Sequence, residues 1–309
     1  MLAARAGDAR PRDGGIAGVA GVIGHRFEFH RPRDLDEAAA LMNAYREQAA
    51  VLGGGTMLVP SMSANLVRPA HLISLASLGL DEVVLDDGYL RIGAMATYAR
   101  LLASPLISRH APLLAAMAAQ ITGGASILNQ GTLGGAASFA NPSSDAPGCL
   151  AAMEALFELR SSTGMRRVSA RDFFVDAFRT GRREDEFLMN ILLPRDTTRV
   201  ACRYQKYKAS ASSWPIVTVA CSLHRGEEVS VRLAVGGAGC RPAFVSFVID
   251  LEAFVPEVFI EQAAASVLNL IGEGWSDELA DAEYRRTIVP GVVKRHLRDL
   301  LTETKIWKR

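Results

Sequence analysis

A run of three glycines, Gly53-Gly54-Gly55, stands where a strand pattern ends, and no other feature limits the fold of this chain as much. Ahead of it, Arg26 to His30 alternates like a short strand, and Asp34 can cap a helix over Leu35 to Tyr45 whose apolar residues share one face. Ala49 to Leu52 reads as a second strand, so the pattern predicts a β-α-β unit opening into a glycine-rich turn. Glycine admits positive φ and close approach, which leaves backbone N–H groups free to wrap an anionic group. A second loop, Gly131-Thr132-Leu133-Gly134-Gly135, offers the same chemistry with a hydroxyl, as Thr56 does in the first. Taken singly, either loop reads as a tight turn.

Between and beyond the loops the pattern is mixed. Strand signals fall at His71 to Leu75 and Tyr89 to Ile92, and a helical period covers Leu113 to Ile121. Gly123 to Pro147 is rich in Gly, Ser, Asn and Pro, which predicts a long, ordered functional loop without regular elements. Alternation resumes at Ala155 to Ser161, Arg167 to Val168 and Phe187 to Leu193, with Pro194 marking a boundary. Three strand-like runs follow, Ala201 to Lys208, Pro215 to His224 and Val229 to Val235, and then helices near Glu257 to Ile271 and Asp281 to Leu301. Strands and helices segregated in this way predict an α+β lobe.

Several function classes are excluded by what is missing. Lys and Arg number 34 against 33 Asp and Glu, so no field of one sign gathers nucleic acid or an anionic membrane. No apolar run approaches the roughly 20 residues of a membrane span. Residues 1–24 are weakly apolar and carry Asp8 and Asp13, which predicts a flexible tail rather than a signal peptide. Cys149, Cys202, Cys221 and Cys240 are far apart and form no Cys-x-x-Cys pair, against an iron–sulfur or structural zinc site in this chain. They are expected as small buried residues in a reducing cytoplasm. The histidines, His25, His30, His71, His110, His224 and His296, also lack metal-ligand spacing and are read as structural or surface residues. Gly53-Gly54-Gly55 lacks the Gly-x-Gly-x-x-Gly spacing and no Gly-Lys-Ser or Gly-Lys-Thr occurs, which disfavours a Rossmann enzyme and a P-loop. Asp145 can accept hydrogen bonds from a ribose or an adenine edge, although a loop Asp is commonly a turn former.

Read together, the two loops resemble those of a known family. Val51 to Pro60 resembles the first FAD loop of the medium subunit of the xanthine dehydrogenase and carbon monoxide dehydrogenase (molybdenum hydroxylase) family. Ile127 to Gly135, with Pro142 and Asp145 beyond it, is similar to the second. Phe29-His30-Arg31-Pro32, Ile92-Gly93-Ala94 with Thr97, Glu186 to Pro194, Tyr204-Gln205-Lys206 and Gly236-Gly237 with Pro242 extend the resemblance over nearly all of the chain after the tail.

The resemblance implies an α+β fold: a two-lobed FAD-binding domain of the PCMH type over residues 25–195, with the lobes meeting near residue 80. A small C-terminal lobe of antiparallel strands and helices would occupy residues 196–309. It further implies that Gly53, Gly54, Gly55, Thr56, Met57 and Leu58 cradle the FAD pyrophosphate from one side, with Thr132, Gly134 and Gly135 on the other. Asp145 would hold the adenosine ribose, and Leu188 and Lys206 would lie near the isoalloxazine ring. No catalytic residue and no metal ligand is expected in this chain. The family's Asn after the glycine pair is Ala136 here, its Arg before Asn129 is Leu128, and its downstream Arg and Asp are Ser210 and Ser213. Backbone binding of FAD survives these changes, whereas ring-side contacts and flavin potential do not carry over.

The implied partners are a small subunit with two [2Fe–2S] clusters and a large molybdopterin subunit, assembled as a cytoplasmic dimer of heterotrimers. In that setting this chain is an electron-transfer oxidoreductase subunit that passes electrons from the clusters through FAD to an external acceptor. A self-sufficient flavin-dependent oxidoreductase on the related FAD-binding fold is the alternative. A binding or assembly protein that has lost FAD is a third, and the colour of the pure protein separates it from the others.

Overall fold

The computed structural model describes residues 22–304, so the tail expected over residues 1–24 lies outside the described residues apart from Val22 to Gly24. The chain then builds β1 (Glu28–His30), α1 (Leu35–Tyr45), β2 (Ala49–Leu52), α2 (Leu58–Ser63) and β3 (His71–Ser74). The strands form a parallel sheet in the order β1-β3-β2. As its sequence predicts, α1 starts at Asp34, whose carboxylate accepts from Glu37 N–H at 2.8 Å. The helix buries Ala38, Ala39 and Met42 against Ile73 and Leu75, with Phe187 and Met189 of a later strand closing the cluster. The expected β-α-β unit is present.

The central lobe runs through β4 (Val83–Asp86), β5 (Tyr89–Gly93), α3 (Tyr98–Ala103), α4 (Pro105–His110), α5 (Pro112–Ala118), α6 (Gly124–Gln130), α7 (Leu133–Phe139) and α8 (Asp145–Ala152). It finishes with β6 (Leu156–Ser161), β7 (Gly164–Ser169), α9 (Ala170–Phe173), β8 (Phe174–Asp176), β9 (Arg179–Thr180) and β10 (Phe187–Pro194). An antiparallel sheet, β4-β5-β10-β6-β7, lays one face on the helices. Its core includes Ile92, Phe157, Ile191, Met117 and Leu150, and the rings of Phe157 and Phe173 stack 3.9 Å apart. Each such side chain withdrawn from water contributes about 1.5–3 kcal/mol.

Gly123 to Pro147 corrects the expectation of a loop without regular elements, because α6, α7 and the first turn of α8 lie in it. Composition misleads there because the small residues serve packing rather than flexibility. A Cβ at Gly134 would fall 2.5 Å from the carbonyl oxygen of Ala94, and one at Gly131 would meet the Tyr98 ring at 3.1 Å. Helices seated this closely have no room for larger residues.

The C-terminal lobe is a four-stranded antiparallel meander, β11 (Arg199–Lys208), β12 (Pro215–Arg225), β13 (Val229–Gly236) and β14 (Ala243–Ile249), covered by α10 (Pro256–Ile271) and α11 (Ala282–Thr304). β14 adds to the three strands that the sequence predicts; nearly all its residues are apolar, so hydropathy alone shows no period of two. Val217, Leu223, Val231 and Leu233 pack beneath Val267, Val293, Leu297 and Leu301. No helix among the described residues is long and apolar enough to cross a membrane.

One buried side chain makes this lobe acid-sensitive. His296 on α11 is 3% exposed and its Nε2 has no hydrogen-bond partner, so burial pushes its pKa down to about 4. The unfolded value is about 6.5, so the folded state favours neutral imidazole. Its contribution is complete above pH 6.5 and falls by about 1.4 kcal/mol per pH unit between there and pH 4. Urea denaturation at pH 7 and pH 5 should show this loss in the native chain and a smaller one in His296→Leu. An equal loss in both would show that another group governs the acid response.

Candidate functional site

The glycine loops, far apart in sequence, meet. Strand β2 ends at Leu52, and the chain turns through Gly53 to Met57 into α2, with Gly55 at φ +73°. A Cβ at Gly54 would overlap the carbonyl oxygen of Gln130, and one at Gly53 would meet Thr132 Oγ1 at 3.2 Å. Only glycine lets the first loop lie on the backbone of the second. Among the described residues, none of the backbone N–H groups from Gly53 to Leu58 donates a hydrogen bond. Gly53 to Leu58 are all half-buried, so these donors are left free for a ligand or water.

The second loop is held from below by the end of β5. Tyr98 N–H donates to Gly131 O, Leu133 N–H to Ala96 O and Gly134 N–H to Ala94 O, at 3.0–3.2 Å. Ala94 N–H in turn donates to Met189 O of β10 at 2.9 Å. Thr132 caps α7, its hydroxyl accepting from Gly135 N–H at 3.0 Å. The N–H groups of Leu133, Gly134 and Gly135 are therefore engaged already. This loop contributes a rigid, closely approached wall, and the free donors belong to the first.

Asp145 opens α8, an entirely buried helix that passes from the central lobe onto β12 and β13. Its carboxylate is 5% exposed and accepts from Tyr204 Oη at 2.5 Å and from Lys206 Nζ at 3.0–3.1 Å. Tyr204 and Lys206 alternate onto one face of β11, as a strand's period of two requires. Burial first, and then the Asp145 charge, push the Tyr204 hydroxyl well above its ordinary pKa, so it stays a donor. The preceding turn is also anchored. Ser143 Oγ donates to Asp277 Oδ2 at 2.6 Å, and the fully buried Arg285 joins Asp277 and the carbonyls of Ile216 and Gly237 at 2.5–2.6 Å. Burial raises the Asp277 pKa, but the Ser143 hydroxyl, Leu279 N–H and Arg285 outweigh it and hold the carboxyl below its usual range.

Of the residues expected at the site, Gly53 and Gly54 of the first loop meet the second at Gln130, Gly131 and Thr132, and Gly134 and Gly135 follow in the first turn of α7. Asp145 and Lys206 also meet, but with each other, an arrangement that roles at opposite ends of a dinucleotide do not anticipate. Leu188 is 4% exposed within the main core, beside a bulge in β10. Tyr204 and the Ser143–Asp277–Arg285 cluster escape the sequence reading. Alternation with Lys206 could have flagged Tyr204, whereas nothing in the local sequence marks Arg285, which lies 142 positions from Ser143. The cavity of about 600 Å³ bounded by Arg33, Asp34, Leu78 and Arg160 includes no glycine-loop residue.

Residues 25–196 match the family model described as the FAD binding domain in molybdopterin dehydrogenase. The carbon monoxide dehydrogenase medium chain of Hydrogenophaga pseudoflava is 29% identical over 280 residues, 89% of this chain and 97% of that one. The nicotine 6-hydroxylase medium subunit of Paenarthrobacter nicotinovorans is 28% identical over 87% of this chain and 95% of its own length. A solved carbon monoxide dehydrogenase from Hydrogenophaga pseudoflava, in a form lacking the Mo-pyranopterin moiety of its cofactor, superposes with a TM-score of 0.80 at 28% identity, covering 91% of this chain and 99% of that one. The glycine-loop cradle, the fold around it and these matches agree: the chain belongs to the FAD-binding subunits of the molybdopterin-dependent dehydrogenases.

Proposed function

We propose that this chain holds one non-covalent FAD and is the electron outlet of a molybdenum hydroxylase complex. The observation that carries the reading is the contact of Gly54 with Gln130, which sets the free N–H groups of Gly53 to Leu58 beside the wall of Thr132, Gly134 and Gly135. A run of free backbone donors suits a pyrophosphate, and no Cys or His lies in either loop to form a covalent link. Bound FAD supplies the redox chemistry, and the protein supplies position and charge. Asp145, Lys206 and Tyr204 act as one unit at one end of the cofactor, with the lysine charge balanced by the Asp145 carboxylate. Leu188 supports the ring side from the core.

In this reading a small subunit with [2Fe–2S] clusters feeds the flavin, a large molybdopterin subunit oxidises substrate, and the assembly is a cytoplasmic dimer of heterotrimers. The relatives' names, medium chain and medium subunit, support a multi-subunit setting. The purified chain should carry FAD that denaturation releases into the supernatant. It should accept electrons from a chemical reductant yet turn over no heterocycle, aldehyde or purine until the other subunits are added. Colourless protein that stays so after incubation with FAD would sink the cofactor assignment. Turnover by the single chain would favour the self-sufficient oxidoreductase instead.

A further inference from the structure

Away from the glycine loops, the first lobe gathers three metal-ligating side chains. His30 Nε2 and His71 Nδ1 are 3.1 Å apart, and Glu28 Oε2 lies 3.4 Å from His71 Nδ1 and 3.8 Å from His30 Nε2. Among the described residues, these form the cluster of His and carboxylate ligand atoms that converge within 4.8 Å. A hydrogen bond between the imidazoles accounts for the shortest distance but not for the convergence of all three atoms. Those edges bracket the roughly 3.3 Å that separates ligands on a tetrahedron with bonds of about 2.0–2.1 Å, the lengths of zinc to imidazole and carboxylate.

The backbone holds the ligands in this arrangement. Glu28 and His30 are alternate residues of β1 and so share a face, and the parallel register sets Glu28 opposite His71. Tyr45, the last residue of α1, stacks on the His71 ring at 3.5 Å with planes 12° apart, which fixes its orientation. The histidines are largely buried, at 18% and 14% exposure, whereas Glu28 at 71% leaves a fourth position open to water. The cluster sits at the far end of the sheet from the cofactor loop. His71 pairs with Ala49 at the start of β2, and Gly53 follows Leu52 at its end.

We infer that Glu28, His30 and His71 form a binding site for one divalent cation of borderline softness, with Zn²⁺ as its representative, clasping edge strand β1 to β3. Two imidazoles and a carboxylate select first-row cations over Mg²⁺ or Ca²⁺, which prefer all-oxygen shells. The site does not depend on the flavin and stands or falls apart from the proposed electron-transfer role.

The test uses tag-free full-length chain, stripped with chelator and titrated with Zn²⁺, and with Co²⁺ as a spectroscopic probe. The expected result is one Zn²⁺ per chain, a visible Co²⁺ spectrum of tetrahedral intensity, and a thermal midpoint raised by Zn²⁺ at unchanged flavin content. His71→Ala and His30→Ala should each weaken Zn²⁺ binding by on the order of 100-fold or more, since even loss of an outer-shell partner costs 10–100-fold. Glu28→Gln, at an exposed position that cannot unfold the lobe, should weaken binding and alter the Co²⁺ spectrum. Absence of stoichiometric binding in the native chain, or binding equally tight in Glu28→Gln and the histidine variants, would overturn the site.

Discussion

Gly54→Ala is expected to yield a folded chain that purifies without flavin and binds added FAD more than 100-fold less tightly, about 3 kcal/mol. The added methyl group would overlap the carbonyl oxygen of Gln130. Both sides of that contact are backbone, so no rotamer relieves it, and the loops must separate or the first must refold. Either movement takes the donors from Gly53 to Leu58 away from the wall at Thr132, Gly134 and Gly135, and with it the geometry that suits a pyrophosphate. Gly53→Ala is the control. Its methyl meets the Thr132 hydroxyl at 3.2 Å and the Met95 sulfur at 3.6 Å, and both are side-chain atoms able to shift. That variant should retain FAD within about tenfold of native, or 1.4 kcal/mol. Flavin absorbance per chain and titration of the stripped protein measure both. Gly54→Ala with a full complement of tightly held flavin would remove the loop contact from the binding site.

Asp145→Ala is expected to cost about 3–5 kcal/mol of stability, a large part of the 5–15 kcal/mol that holds an ordinary domain folded. The carboxylate is the buried partner of the Lys206 ammonium, itself 7% exposed, and the acceptor of the Tyr204 hydroxyl. Removing it leaves a charge and a donor in the interior with nothing to satisfy them. The double variant Asp145→Ala with Lys206→Met should recover most of the loss, because removing both charges removes the uncompensated one. Denaturant unfolding of the single and double variants gives the coupling energy between the two residues. A single-variant loss under about 1 kcal/mol would show that water reaches the pair. FAD titration adds a separate readout: weaker binding places the cluster against the cofactor, and unchanged binding makes it architectural.

The elements carrying strong local signals were legible in the chain. Asp34 ahead of an amphipathic run specified α1 and its cap, and strand-like runs specified β11, β12 and β13. The glycines of the first loop, at the end of a strand, specified a turn with exposed donors. Composition misleads over Gly123 to Pro147 because its glycines are chosen by neighbours distant in sequence. Gly134 faces Ala94 and Gly131 faces Tyr98, so the same composition that marks a loop here marks closely packed helices.

What the sequence by itself determined, then, is the set of parts: which segments are strands and helices, where glycine frees the backbone, and which family the two loops resemble. Tertiary structure decided the meetings. Gly54 lies on Gln130, Asp145 closes on Lys206 across 61 positions, and His30 reaches His71 across 41. Caps and periodicity depend on neighbours within a turn or two, so they can be read along the chain. A buried ion pair or a ligand cluster depends on the register and packing of sheets formed by distant segments, and the identity of Asp145, Lys206, His30 or His71 says nothing of its partner until those sheets are in place.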